Sequence, residues 1–220
     1  NAMCAALDRT GATAEELQVF AEQLVRHTEN GKAMIKIVQA EDSTSQTQGL
    51  ALLHRVYPHT RATLDRHLLG DPESISALME ILVQAGTSAW GTTLAEGEAD
   101  TAVDAAADAA LCAETVRFLR LVTREDGEVR MIITMRDGAE AFLSIAMQAL
   151  GATPQPSEAA QTSGAAPARP FLGVAADACV CVQQLAGHGL VAQKYMRECG
   201  HLIAVVRSLR CVLGALSVEA

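Results

Sequence analysis

A phrase that recurs along the chain constrains its fold more than any other feature. It consists of an apolar stretch, a glycine, and a helix that is apolar along one side. One copy spans 131–147 around Gly138, and another spans 192–209 around Gly200, about sixty residues later. Self-similarity of this kind is typical of repeat proteins, in which each unit buries its apolar side against its neighbours. The phrase therefore predicts a stacked array of helical units.

Composition supports an all-α fold. Half of the residues are hydrophobic, which excludes a disordered chain, and only 3% are aromatic, which argues against a sheet-rich fold. The formal net charge of −9 repels phosphate backbones and anionic lipid. No apolar run reaches the roughly 18 residues that a bilayer span needs, and no secretory signal opens the chain. We therefore expect a cytoplasmic protein that binds neither nucleic acid nor membrane.

The sequence predicts one domain with two loop insertions. Residues 1–3 resemble a vector scar left by a protease, so the predicted domain covers 4–220. Within it, 86–101 and 151–170 are rich in glycine, proline and polar residues, and such segments bury too little apolar surface to offset the entropy of ordering. We expect both to be loops.

Helix signals divide the chain into units. A capping box at Thr13 and Glu16 opens the first helix, and Asp71-Pro72 opens a later one. The Tyr57-Pro58 pair predicts that a helix through 50–56 ends there and that another covers 59–69. These signals predict three units of about 40 residues, each with three helices, over 42–85, 104–150 and 171–216. A partial unit over 13–40 precedes them.

These three-helix units, their length and the glycine before an apolar helix resemble the armadillo repeat. The resemblance implies a right-handed α-α superhelix of about three to four repeats, in which the third helix of each unit lines a concave groove that binds extended peptides or helices. Nuclear-import adaptors of that family line the groove with paired Trp and Asn. Here the only Trp is Trp90 and the only Asn residues are Asn1 and Asn30, which argues against a receptor for nuclear-localisation signals.

No motif points to an enzyme. The chain lacks a nucleophile elbow, a zincin helix and a phosphate-binding loop, and its six histidines have no metal-ligand spacing. Its six cysteines include no C-x-x-C pair, and all but Cys4 fall in apolar helical patterns, where a reduced thiol packs as a small hydrophobe. Cys179 and Cys181 should face opposite sides of one helix. We therefore predict no catalytic residue, cofactor or metal.

Partner-binding candidates come from positions on the third helices that the apolar stripe does not need. The predicted functional surface is the strip formed by 32–39, 74–84, 140–148 and 201–210. Its candidate residues are mixed polar side chains, which would recognise a partner through hydrogen bonds: Lys36, Gln39, Glu80, Gln84, Ser144, Gln148, Arg207 and Arg210.

Two charged clusters have both a structural and a functional interpretation. The basic cluster is either a solvated helix surface or a positive patch that meets an acidic peptide. The acidic run is either a solvated loop and helix start or a segment that folds over the groove. The basic cluster contains Arg55, Arg61, Arg66 and His67, and the acidic run contains Glu96, Glu98, Asp100, Asp104 and Asp108.

Together these features predict a protein–protein interaction or scaffold module that binds a peptide or helix of a partner protein. Two alternatives stay open. A chaperone or co-chaperone of the same architecture, similar to armadillo proteins that act on myosin or Hsp70, would grip a folded client; a globular helical enzyme would need a buried polar pocket. The partner and the oligomeric state do not follow from the sequence.

Overall fold

The fold is all-helical throughout the part of the chain that the computed structural model describes. That part comprises residues 13–25, 33, 35–36, 38, 42–91, 99–151, 171–187, 189–200 and 203, and it contains no β-strand. The predicted fold class is therefore confirmed at this level. Eight α-helices lie within the described residues: α1 Ala14–Val25, α2 Ser43–Gly70, α3 Pro72–Gly91, α4 Ala99–Glu125, α5 Gly127–Met135, α6 Gly138–Gly151, α7 Leu172–Ala186 and α8 Leu190–Glu198.

Side-chain caps define several helix starts. At α1 the predicted capping box is present: the Glu16 amide donates to Thr13 Oγ1 at 3.3 Å, and the Thr13 amide donates to Glu16 Oε2 at 2.8 Å. Asp42 and Asp126 cap α2 and α5, because their Oδ1 atoms accept the backbone N–H three residues later. Each cap satisfies a donor that the first helical turn leaves free.

The predicted break at Tyr57-Pro58 is present as a kink that divides α2 into two helical segments. Helix α2 runs through Pro58, and the non-helical backbone angles occur two residues later, at Thr60 (φ −131°, ψ 21°). Pro58 lacks an amide hydrogen and its ring crowds the preceding turn, which explains the bend. Thr60 Oγ1 donates to the Val56 carbonyl at 2.9 Å, so the bend leaves this carbonyl paired.

Helix α4 is the centre of the packing. It contacts α2, α3, α5 and α7, while α6 packs against both α3 and α7. One cluster of buried apolar side chains runs through all eight helices, and the largest members on α4 are Phe118 and Leu119. The Phe118 ring meets Tyr57 of α2 edge to face, with ring centroids 5.9 Å apart. This continuous core places α3 and α6 side by side.

Part of the first predicted insertion is helical. Helix α3 continues to Gly91 and α4 begins at Ala99, so of residues 86–101 only 92–98 lie outside the described helices. Gly86 is buried, and a Cβ placed on it would lie 2.0 Å from Ile145 Cδ1 of α6. The glycine therefore allows α3 and α6 to approach each other closely and is not a loop signal. Of the second predicted insertion, Gly151 ends α6, and 152–170 lie outside the described residues.

The two copies of the recurring phrase use their glycines differently. Gly200 adopts a left-handed conformation (φ 77°), as expected after the end of a helix. In the other copy Asp137 holds the left-handed conformation (φ 58°), and Gly138 is the first residue of α6. A Cβ on Gly138 would lie 2.4 Å from Ile133 Cγ2 and 2.7 Å from the Ile133 carbonyl oxygen. Close packing, not backbone conformation, requires glycine there.

Candidate functional site

A groove between α3 and α6 brings together four of the eight predicted partner-binding residues. Its volume is about 510 Å³. We call it the α3–α6 groove, and it is lined by Met79, Glu80, Val83, Gln84, Thr87, Arg136, Asp137, Glu140, Ala141, Ser144, Ile145 and Gln148.

The floor of the groove is apolar. Met79 and Ile145 are buried, Ala141 is half-buried, and the Val83 side chain is exposed, with 47% of its surface accessible. Residues 79 and 83 are four apart on α3, and 141 and 145 are four apart on α6, so each pair lies on one helix face. The close approach at Gly86 keeps the two apolar rows next to each other.

On the α6 side of the rim, the side-chain amide of Gln148 donates a hydrogen bond but accepts none within the described residues. Gln148 Nε2 donates to Ser144 Oγ at 3.1 Å. Gln148 Oε1 is buried and accepts no hydrogen bond from the residues that the structure describes. A buried acceptor without a donor costs about 1–3 kcal/mol. Because Oε1 has almost no accessible surface, a ligand can donate to it only after the amide turns toward the groove.

The charged part of the rim is acidic. Glu80, Asp137 and Glu140 contribute carboxylates, against the single guanidinium of Arg136, and all four side chains are exposed. The Tyr195 hydroxyl of α8 donates to Asp137 Oδ1 at 3.0 Å, which anchors the turn before α6. Hydrogen bonding with Cys199 and Asp137 raises the pKa of Tyr195 to about 12, so this hydroxyl stays protonated and remains a donor at neutral pH.

Of the other four predicted site residues, the structure describes only Lys36. Lys36 is exposed and lines a separate cavity of about 320 Å³ with Arg66 and His67. Gln39, Arg207 and Arg210 fall outside the described residues. The structure therefore brings together Glu80, Gln84, Ser144 and Gln148 and separates Lys36 from them.

The predicted strip includes the floor of the groove but misses one end of it. Met79 and Val83 lie within 74–84, although neither was named as a partner-binding residue, and Arg136 and Asp137 lie outside the predicted ranges. Val83 did carry a signal, since it is an apolar residue next to the stripe and not within it. Arg136 and Asp137 carried none, because their place in the groove depends on how α3 packs against α6.

The basic cluster of α2 is divided between two environments. Arg61 binds the Asp65 carboxylate, with Nε 3.3 Å from Oδ2, and reaches across to Glu125 at the end of α4, with Nη1 3.1 Å from Oε2. Tyr57 donates its hydroxyl to Asp65 Oδ1 at 2.6 Å. Desolvation raises the pKa of the buried Asp65 carboxyl, and the Tyr57 hydrogen bond partly opposes that rise. Arg61 is therefore part of a helix junction, whereas Arg66 and His67 line the separate cavity with Lys36.

The acidic run is likewise partly structural. Ser88 of α3 donates its hydroxyl to Asp108 Oδ2 of α4, which joins two helices on the side of α3 away from α6. Asp104 is exposed near the start of α4. Glu96 and Glu98 lie outside the described residues, so the idea that this run covers the groove stays a prediction.

The cysteines divide into buried and exposed pairs. Cys112 and Cys181 are buried, and Cys179 and Cys199 are exposed, so the expectation of packing was wrong for the latter two. Cys179 and Cys181 face opposite sides of α7, as predicted. Burial raises the pKa of the Cys112 thiol to about 12, which makes it unreactive. Cys4 and Cys211 fall outside the described part of the chain, and within that part no three His, Cys, Asp or Glu residues are grouped for metal binding.

Comparisons with known proteins leave the armadillo likeness as a resemblance. No family model, no curated protein and no solved structure matches this chain. Among the described helices no single one is long and apolar enough to cross a bilayer; α7 and α8 reach that length and composition only as a pair, which is bent by 113°.

Proposed function

We propose that this chain is a protein-binding module whose α3–α6 groove holds a segment of a partner protein. The observation that carries the proposal is the combination of an apolar floor, with Val83 left 47% exposed, and a polar rim with an unpaired acceptor at Gln148. Isolated exposed apolar residues are common, but an apolar strip with a polar border is typical of an interaction site.

The groove favours a helical segment over an extended one. From Met79 to Thr87, and again from Glu140 to Gln148, each wall spans about 12 Å at 1.5 Å per residue, which corresponds to roughly two turns of a bound helix. A helix pairs its own backbone N–H and C=O groups, whereas an extended segment would leave many of them facing the apolar floor. Apolar side chains at i, i+4 and i+7 of such a helix match the length of the floor.

The architecture that we propose around the groove is an armadillo-like superhelix. Helices α4, α5 and α6 have 27, 9 and 14 residues. Helices α7 and α8, with 15 and 9 residues, repeat the order of a longer helix followed by a nine-residue one. In such an array α3 and α6 are the third helices of successive units, and third helices line the concave face. Their side-by-side packing supports this assignment.

A peptide selection tests the proposed function. A displayed library of helical peptides is selected against the purified chain, and the recovered peptides are measured against two variants. Val83→Arg puts a charge on the groove floor, while Leu172→Arg makes the same change at an apolar residue of α7 that is 45% exposed and outside the groove. We expect V83R to weaken binding at least tenfold and L172R to leave it unchanged, with both variants retaining the wild-type thermal midpoint.

Two outcomes would contradict the proposal. If no peptide with an apolar stripe is recovered, the groove is not an interaction site for helices. If V83R and L172R weaken the recovered peptides equally, the binding surface lies elsewhere on the molecule.

A further inference from the structure

We infer that the segment held by the α3–α6 groove is a cationic amphipathic helix, one whose apolar stripe is bordered by lysine or arginine. This inference rests on the proposed function and adds the chemistry of the partner. It is argued from the charges and the unpaired polar atom on the groove rim, which the apolar floor alone would not require.

The charge of the rim favours a basic partner. Among the described residues, three exposed carboxylates surround the floor, on Glu80, Asp137 and Glu140, and Arg136 is the single cation that lines the groove with them. The chain as a whole carries a formal charge of −9, so the field outside the groove has the same sign. An acidic partner would be repelled from a distance and again at the rim, whereas a basic one is attracted at both stages.

The acids lie on both walls. Glu80 belongs to α3, and Glu140 belongs to α6. A helix on the floor between them would present basic side chains on both sides of its apolar stripe, one toward each wall. Positions three and four residues from the apolar ones on a helical partner lie at this border.

Gln148 adds a requirement for a hydrogen-bond donor. Its buried Oε1 atom accepts nothing within the described residues, and eight residues of α6, about 12 Å, separate it from Glu140. Lysine and arginine side chains carry only donors and have long apolar stems that can cross the floor before the charged group reaches the rim. Once the Gln148 amide turns toward the groove, a basic side chain supplies it with a donor, and another basic side chain pairs with a rim carboxylate.

The same reasoning disfavours one occupant from within the chain. The acidic run with Glu96, Glu98 and Asp100 would place carboxylates against Glu80 and Glu140. Like charges at close range weaken an interaction by about as much as opposite charges strengthen it. The groove is suited to a segment of another protein with the opposite charge.

Designed peptides test the inference directly. Three helix-stapled peptides of about ten residues share one leucine stripe at i, i+4 and i+7, and their bordering positions are all Lys, all Gln or all Glu. A scrambled Lys peptide with no apolar face controls for attraction to the acidic protein as a whole. Fluorescence anisotropy should show the Lys peptide binding about tenfold more tightly than the Glu peptide, with the Gln peptide between them. Added salt should reduce the difference, since exposed charges are screened.

Matched variants locate the effect. In the double variant E80Q/E140Q the advantage of the Lys peptide over the Gln peptide should fall to a small fraction of its wild-type size, with Asp137 and the overall negative charge supplying the remainder. The control E73Q/E128Q removes two exposed carboxylates outside the groove, and it should preserve the wild-type order. Gln148→Met removes the unpaired acceptor, so it should maintain or raise the thermal midpoint while weakening the Lys peptide several-fold.

The outcomes separate the two proposals. Equal binding of the Lys, Gln and Glu peptides, with loss in V83R, would overturn the charge inference and leave the proposed function in place. Equal binding of the scrambled Lys peptide, or loss in E73Q/E128Q as large as in E80Q/E140Q, would also overturn it. Failure of all three peptides, together with an empty library selection, would overturn the proposed function itself.

Discussion

At the junction of α2 and α4 the Asp65 carboxylate is 6% exposed and accepts hydrogen bonds from Tyr57 and Arg61, and Arg61 also binds Glu125. At the α3–α6 groove the carboxylates of Glu80 and Glu140 are exposed. Both clusters lie where two helices meet. The buried carboxylate of the first is paired within the protein and stabilises the fold, whereas the exposed Glu80 and Glu140 carboxylates of the second can pair with a ligand.

The substitution Asp65→Ala should have the largest effect on the free energy of unfolding. The substitution leaves the Tyr57 hydroxyl without its buried acceptor and removes one of the two carboxylates that Arg61 binds. We expect a loss of about 3 kcal/mol in the free energy of unfolding, measured by urea denaturation. Ser144→Ala in the groove is the matched substitution and should change the stability by less than about 0.5 kcal/mol, because Ser144 is exposed. A loss at Ser144 as large as at Asp65 would show that the groove polar groups are structural too.

A smaller change in stability than that of Asp65→Ala is expected when a methyl group is added at Gly86, where α3 contacts α6 beneath the groove. Gly173, on an uncovered part of α7, is the comparison. In Gly86→Ala the new methyl group would meet Ile145 Cδ1, so we expect overpacking to cost about 1–3 kcal/mol against a helix-propensity gain of about 1 kcal/mol. Gly173→Ala on α7 meets no atom within 4 Å and should stabilise the protein by up to about 0.5 kcal/mol. The denaturation midpoint should therefore fall or stay unchanged in Gly86→Ala and rise in Gly173→Ala. If both rise, α3 and α6 are not in tight contact at Gly86.

The smallest expected effect is a difference between wild type and D65N in how their stability depends on pH. Desolvation raises the pKa of folded Asp65 above its ordinary value of 3.8, so the folded state holds this proton to higher pH than the unfolded state does. The stability that this carboxyl contributes is complete below the ordinary value and decreases as pH rises through the folded pKa. Asp65→Asn removes the titration, so the stability of D65N relative to wild type should increase as pH rises above the ordinary pKa of 3.8 and through the raised folded-state pKa. Thermal midpoints of the two proteins that run parallel across this range would contradict the assignment.

The sequence predicted much of the groove because helix periodicity predicts which residues share a face. Glu80, Gln84, Ser144 and Gln148 were chosen as polar positions beside an apolar stripe, and all four line the groove. It failed at Arg61, whose partner Glu125 is 64 residues away, because a lone charged residue on a helix gives no sign of a distant counter-ion. It also misjudged Gly86, since the same residue type marks a loop and a close helix contact.

The sequence by itself determined the helices, their caps and their apolar sides, because these depend on interactions between residues within about four positions of each other. Thr13 and Glu16 form their capping box, and Cys179 and Cys181 face opposite sides of α7, for that reason alone. Only the tertiary structure decided that α3 lies against α6, that Val83 remains exposed on the groove floor and that Gln148 Oε1 is left without a donor. These features arise where two helices distant in sequence pack together, and the geometry of that packing depends on the whole core.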